Sequence, residues 1–144
     1  MRYPFNHNKG FTLIELIVVL FIVGIAFSVV TVSVGRLYEK TVFKEELKRL
    51  FRTLKHSRDM AVTERAVFTV NIDSDKRTVG IEKDGMPFGS TVTLAKNISI
   101  EAEPIVFFPK GNSSGGLIEI KGPGNNNYQI EVSAVTGIAK VKRL

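Results

Sequence analysis

The sequence predicts an α+β protein, a long N-terminal helix followed by antiparallel strands, and three observations predict it. Residues 11–35 are apolar except for Glu15. Residues 36–65 place apolar side chains at helical spacing with no Pro or Gly between them. After Arg65 the pattern turns to alternation, cut at short intervals by turn residues.

The first segment is long enough to span a bilayer. Leu16 to Gly35 is 20 residues without a charge, and a hydrocarbon core about 30 Å thick needs about 20 residues at ~1.5 Å rise. A secretory signal peptide has a shorter apolar region and a small-residue cleavage site; this run is longer and ends without one. A core helix apolar on every face is hard to enclose in 144 residues. The basic residues do not settle its orientation. Arg2 and Lys9 precede the run, while Arg36, Lys40, Lys44, Lys48 and Arg49 follow it. A simple positive-inside count puts the C-terminal part in the cytoplasm, but long domains translocate largely regardless of charge. Glu15 is the anomaly. An acid at mid-span costs about 2.5–3.5 kcal/mol on insertion scales, and near the end of a span it either snorkels to the interface or serves a function. Gly24, Ala26 and Ser28 permit close helix approach. Val29 to Val34 is nearly all β-branched, so Gly24 to Gly35 is either an ordinary membrane helix or a stretch able to unwind.

Arg36 to Arg65 reads as an amphipathic helix, with Phe43, Leu47, Leu50, Phe51, Leu54 and Ala61 on one face. Lys44, Lys48, Arg52 and Lys55 lie largely off it. Strands are expected at Val67–Asp73, Thr78–Glu82, Ser90–Ala95, Asn97–Glu101, Ile105–Phe108, Leu117–Lys121, Tyr128–Ser133 and Ile138–Lys142. Turns are expected at Ser74–Lys76, Lys83–Gly85, Pro109–Gly116, Gly122–Asn127 and Thr136–Gly137.

Charge and composition exclude little: the net charge of +6 suits anionic partners without specifying them, and the absence of Cys removes disulfides and Cys-based zinc sites. Gly111-Asn112-Ser113-Ser114-Gly115 satisfies the hydrolase pattern G-x-S-x-G, which needs a strand, a sharp turn and a helix. A strand follows instead, and beyond the first ten residues the only His is His56. The segment reads as a turn, and the chain as a non-enzyme without a cofactor. Asp73, Asp75 and Asp84 fail the EF-hand spacing, since Arg77 stands where an oxygen ligand is needed. No metal site is expected. Lys140, Lys142 and Arg143, with the basic residues of the amphipathic helix, form either a phosphate-contact surface or a solvated strand end.

The segment "KGFTLIELIVVL" resembles the class III signal of type IV pilins and type II secretion pseudopilins: a short basic leader ending in Gly, then Phe, Thr-Leu-Ile-Glu and an apolar helix. The resemblance implies cleavage between Gly10 and Phe11 by a prepilin peptidase and N-methylation of Phe11. It divides the chain into a cleaved leader (1–10), a transmembrane or filament-core helix (11–35), an amphipathic helix (36–65) and a β domain (66–144). It also implies an inner-membrane protein with a single pass and a periplasmic C-terminal domain, which becomes part of a filament. Cleavage creates an ammonium one helical turn from Glu15, so Glu15 of one subunit can meet Phe11 of the next. That pairing would make Glu15 an assembly residue that sets register.

"IVFFPKGNSSGGLIEI" and "YQIEVSAVTGIAKVKRL" resemble the H-type minor pseudopilins and the related FimT minor pilins, the GspH/FimT group, whose fold is a long helix carrying two small antiparallel sheets. The implied function is that of a minor pseudopilin near the tip of the type II secretion pseudopilus. Its partners would be other major and minor pseudopilins, the inner-membrane assembly platform and secreted cargo. A FimT-like minor pilin in pilus assembly or DNA uptake is the alternative. That group carries arginines just after its closing Gly, whereas here Gly137 is followed by Ile138-Ala139-Lys140, which weakens the expectation of nucleic-acid binding.

Overall fold

The computed structural model describes residues 10–144; the side chains of residues 29–34 and 36 are outside what it describes. It divides into a unit ending at Tyr38 and a unit from Glu39 to Leu144.

Helix α1 (Leu13–Glu64, 52 residues) is continuous in its backbone, including Gly24 to Gly35. Thr12 caps it: its hydroxyl oxygen accepts the Glu15 N–H at 3.3 Å. In the first unit the large apolar side chains from Leu13 to Phe27 are exposed on every side, with Phe21 at 70%. Ser28, just past this stretch, donates to the carbonyls of Gly24 and Ile25 at 3.1 and 2.8 Å. The polar group is thus satisfied by its own helix, as hydrocarbon surroundings would require. Among the described residues no helix is long and apolar enough to cross a membrane; the expected span, Leu16 to Gly35, includes side chains outside that set, and Arg2 and Lys9 lie outside the described residues altogether.

In the second unit α1 buries Phe43, Leu50, Leu54 and Ala61, with Leu47 partly covered. Ser57, two turns past Leu50, is fully buried in the same row and was invisible to hydrophobic periodicity because it is polar. Arg65 ends the helix with φ 53°, the left-handed position that usually follows a last turn.

All eight expected strands form. One antiparallel sheet contains β1 (Phe68–Asp73), β2 (Thr78–Lys83), β3 (Met86–Thr93) and β5 (Ile105–Phe107) in the order β3-β2-β1-β5. The other contains β4 (Ser99–Ala102), β6 (Gly116–Gly122), β7 (Asn126–Val132) and β8 (Ala139–Arg143) in the order β4-β6-β7-β8. Their apolar faces supply Phe68, Val70, Ile72, Val79, Ile105 and Phe107 on one side and Ile100, Ile118, Ile120, Ile130 and Val132 on the other. Each such side chain stabilises by about 1.5–3 kcal/mol when fully buried.

Strand β3 starts at Met86, four residues before the expected start at Ser90. Pro87 reads as a break, yet it is tolerated because β3 is an edge strand whose outer side needs no N–H. Between the pairs Ile81–Phe88 and Val79–Val92, Gly80 of β2 faces Gly89, Ser90 and Thr91, so the edge bulges there. Asp84 and Gly85 (φ 48° and 81°) make the two-residue turn from β2 to β3, with both torsions positive as a type I′ hairpin requires. Asp84 also accepts the Val67 N–H at 3.0 Å, tying the hairpin tip to the start of β1.

The β1–β2 turn holds a titratable contact. Asp73 Oδ1 accepts the Lys76 N–H at 2.8 Å, and this bond, with help from the Lys76 ammonium, holds the Asp73 carboxyl below its ordinary value. A depressed folded-state value means that the contact stabilises above the ordinary carboxylate range, about pH 4, and fades as pH falls through the lower folded value. Asp73→Asn is therefore expected to flatten the acid side of the stability curve below about pH 4 and leave its shape at neutral pH unchanged; an unaltered acid limb in pH-dependent thermal unfolding would refute this.

Candidate functional site

Gly10 and Phe11 precede α1 in non-helical, exposed chain. A Cβ placed on Gly10 meets none of the described residues within 4 Å. Glu15 lies one turn into the helix, exposed. Thr12 at the cap and Glu15 at the third helical position form the S/T-x-x-E capping pattern. A carboxylate in the first turn also meets the positive end of the helix dipole. The spacing Thr12-Leu13-Ile14-Glu15 carried this signal in the sequence, and it was not read there. Glu15 is thus placed both to close its own helix and to present a charge outward.

The expected basic cluster at the C-terminus is split by its strand. In the β7–β8 ladder Lys140 pairs with Glu131 and Lys142 with Gln129, while Val141 pairs with Ile130 and Arg143 with Tyr128. Ile130 is fully buried, so alternation puts Val141 and Arg143 on the side facing α1 and Lys140 and Lys142 on the outer face. Arg143 joins Lys40, Lys44, Phe43, Asn126 and Tyr128 around a cavity of about 250 Å³. Val141 joins Leu47, Phe51, Lys48 and Arg52 around an apolar hollow of about 280 Å³. Lys40, which the sequence reading did not place with the C-terminal cations, is therefore closer in setting to Arg143 than Lys140 or Lys142 is. Lys55 lines neither space.

Two glycines make this packing workable. A Cβ on Gly122 would lie 2.4 Å from Phe43 Cδ2, so the Phe43 ring rests directly on the β6 backbone. The same ring meets Tyr128 at 5.7 Å between centroids. Gly137 (φ 62°) would put a Cβ 2.5 Å from the Gly111 carbonyl oxygen. Beside it Arg58 Nε donates to the Thr136 carbonyl at 2.8 Å, fixing the last turn to α1.

The G-x-S-x-G segment is part of this scaffold. Ser113 is buried, donates from Oγ to the Ser133 carbonyl at 2.9 Å and accepts the Gly115 N–H at 3.0 Å. Strand β6 follows it where a nucleophile elbow needs a helix. Among the described residues no group of three His, Cys, Asp or Glu side chains is placed to hold a metal.

A family profile for the prokaryotic N-terminal methylation motif matches residues 5–31. The competence protein ComGC of Halalkalibacterium halodurans is 30% identical over 100 residues, covering 68% of this chain and 95% of that protein. The chain belongs to the type IV pilin-like proteins. The fold agrees. The minor pseudopilin EpsH of the Vibrio cholerae type 2 secretion system superposes on the pilin-like chain with TM-score 0.60 at 14% identity, over 69% of this chain and 95% of that one. The Pseudomonas aeruginosa type IV minor pilin FimU superposes with TM-score 0.57 at 16% identity, over 75% and 90%. The α+β architecture of a helix followed by two small antiparallel sheets is therefore shared with a pseudopilin and a minor pilin.

Proposed function

We propose that this pilin-like protein is a minor pseudopilin of a type II secretion system. In this reading residues 1–10 are a leader removed by prepilin peptidase between Gly10 and Phe11, and Phe11 becomes N-methylated. Residues 11–35 anchor the chain in the inner membrane and later enter the filament core. Residues 36–65 carry the β domain of residues 66–144 on the periplasmic side. The subunit joins other pseudopilins near the filament tip, through the assembly platform, to move secreted cargo. The observation that carries the reading is a methylation motif over residues 5–31 in the same chain as a β domain folded like EpsH. The exposed apolar surface of residues 13–27 supports it, because such a surface needs lipid or neighbouring helices to cover it.

A second reading, a minor pilin of a type IV pilus or a DNA-uptake machine, is favoured by the likeness to a competence protein. A deletion strain scored for protein secretion and for natural transformation separates the two. The first reading expects secretion to fall with transformation intact, and loss of transformation alone would overturn it in favour of the second. Mass spectrometry of the mature chain is expected to find N-methyl-Phe at its start; an intact leader would overturn both.

A further inference from the structure

We propose that Lys40, Lys44 and Arg143 form a pocket for the phosphate of an anionic phospholipid headgroup, seated on the Phe43–Tyr128 pair. The proposal rests on the reading that residues 11–35 span the membrane.

The pocket is built by the fold. Lys40 and Lys44 stand one helical turn apart on α1 and line the pocket together with Phe43, whose ring is fixed on Gly122. The β7–β8 register sets Arg143 opposite Tyr128, and Tyr128 packs on Phe43. Three cations from two distant parts of the chain thus share a cavity of about 250 Å³ that contains no carboxylate. Among the described residues the ion pairs are Lys48–Glu45, Arg58–Asp59, Lys76–Asp73, Lys83–Glu64 and Lys121–Glu101, and none of them involves Lys40, Lys44 or Arg143. Like charges held together repel, and an anion between them reverses that term.

The ligand follows from the shape and the place. A nucleic-acid strand presents a line of phosphates, but Lys48, the next cation along α1, is engaged by Glu45 at 3.5 Å, and Lys140 and Lys142 face away across β8. Lys40, Lys44 and Arg143 line one small cavity and suit a single phosphodiester, with the guanidinium offering paired donors. Lys40 follows Gly35, the end of the uncharged run, by five residues, a tether of at most about 18 Å. That keeps Lys40 within reach of the headgroup layer, where polybasic segments meet anionic lipid. The basic residues that a positive-inside count would put in the cytoplasm thereby acquire a role on the other side of the membrane.

The test uses the full chain in lipid nanodiscs, with amine acetylation read residue by residue by mass spectrometry. Replacing one third of the phosphatidylcholine with phosphatidylglycerol is expected to slow acetylation of Lys40 and Lys44 about fivefold and leave Lys110 unchanged. Arg143→Gln is expected to remove most of that protection, and Lys142→Gln none of it. Equal rates in the two discs, or full protection retained in Arg143→Gln, would overturn the pocket while leaving the spanning reading intact. Failure to enter neutral discs would overturn the spanning reading and the pocket with it. Equal protection by inorganic phosphate, or by a DNA duplex, added to neutral discs would overturn the lipid as the ligand.

Discussion

Glu15→Gln is expected to insert and to be processed normally, yet to reduce assembly by about 100-fold or more. The substitution is chosen to separate the two things that Glu15 is placed to do. Gln serves as well as Glu in a capping box, and the Thr12 hydroxyl still accepts the residue-15 N–H, so the start of α1 is preserved. Only the charge is lost. In the proposed filament this carboxylate faces the Phe11 ammonium of a neighbour, and removing one member of a buried pair leaves the other uncompensated. That costs about 3–5 kcal/mol, which at about 1.4 kcal/mol per factor of ten is the stated loss. Glu15→Ala should behave the same way with a frayed helix start in addition. Quantitative cross-linking of membrane fractions, beside mass measurement of the processed chain, reads both steps. If the Gln variant assembles normally while the Ala variant does not, capping rather than charge is the function of Glu15, and the register proposal fails.

Gly122→Ala is expected to lower the thermal midpoint of the second unit by about 10–20 °C. The added methyl would fall 2.4–2.7 Å from three carbons of the Phe43 ring. Phe43 is itself 2% exposed and packed on Tyr128, so a shift of the ring into the cavity it lines would disturb its contact with Tyr128 and β6. Overpacking of this kind costs about 1–3 kcal/mol, and each kcal/mol shifts a domain of about 100 residues by about 4–8 °C. The effect should be conditional. Phe43→Leu destabilises alone by opening space, but in combination with Gly122→Ala it should recover part of the loss, giving a favourable coupling of about 1 kcal/mol or more. Circular dichroism melts of the four chains in detergent measure it. A Gly122→Ala midpoint close to that of the parent chain would mean that the ring has room after all.

Much of this architecture was legible in the chain because local rules sufficed for it. Val67 to Asp73 alternates, Asp84-Gly85 demands positive torsions, and the eight strands follow from such signals. Other features depend on partners that local reading cannot see. Pro87 is a strand breaker in isolation and harmless on an edge, so the start of β3 was hidden. The order β3-β2-β1-β5 joins β1 to β5 across more than thirty residues, and no turn residue encodes that. Ser57 carries no hydrophobic signal, yet the helix buries it completely. For the candidate sites, the spacing of Gly10, Phe11 and Glu15 was read directly, because a motif resides in consecutive residues. The C-terminal cations were grouped too generously. Alternation along β8 divides Lys140 and Lys142 from Arg143, a division that the strand period already contained. The association of Arg143 with Lys40 and Lys44 needed the tertiary fold, since it depends on Phe43 reaching the bare backbone at Gly122.

The bulged edge of the first sheet has a bearing on life in a crowded assembly. Strand β3 ends its sheet in open ladder groups, and subunits brought side by side hold such edges at high local concentration. An open flat edge recruits a second strand and grows into an aggregate. Here Pro87 withholds one donor and the kink around Gly89 breaks the flatness that a recruited strand would need. Pro87, which obscured the strand in the sequence, and the bulge at Gly89 therefore make β3 a poor template for a recruited strand.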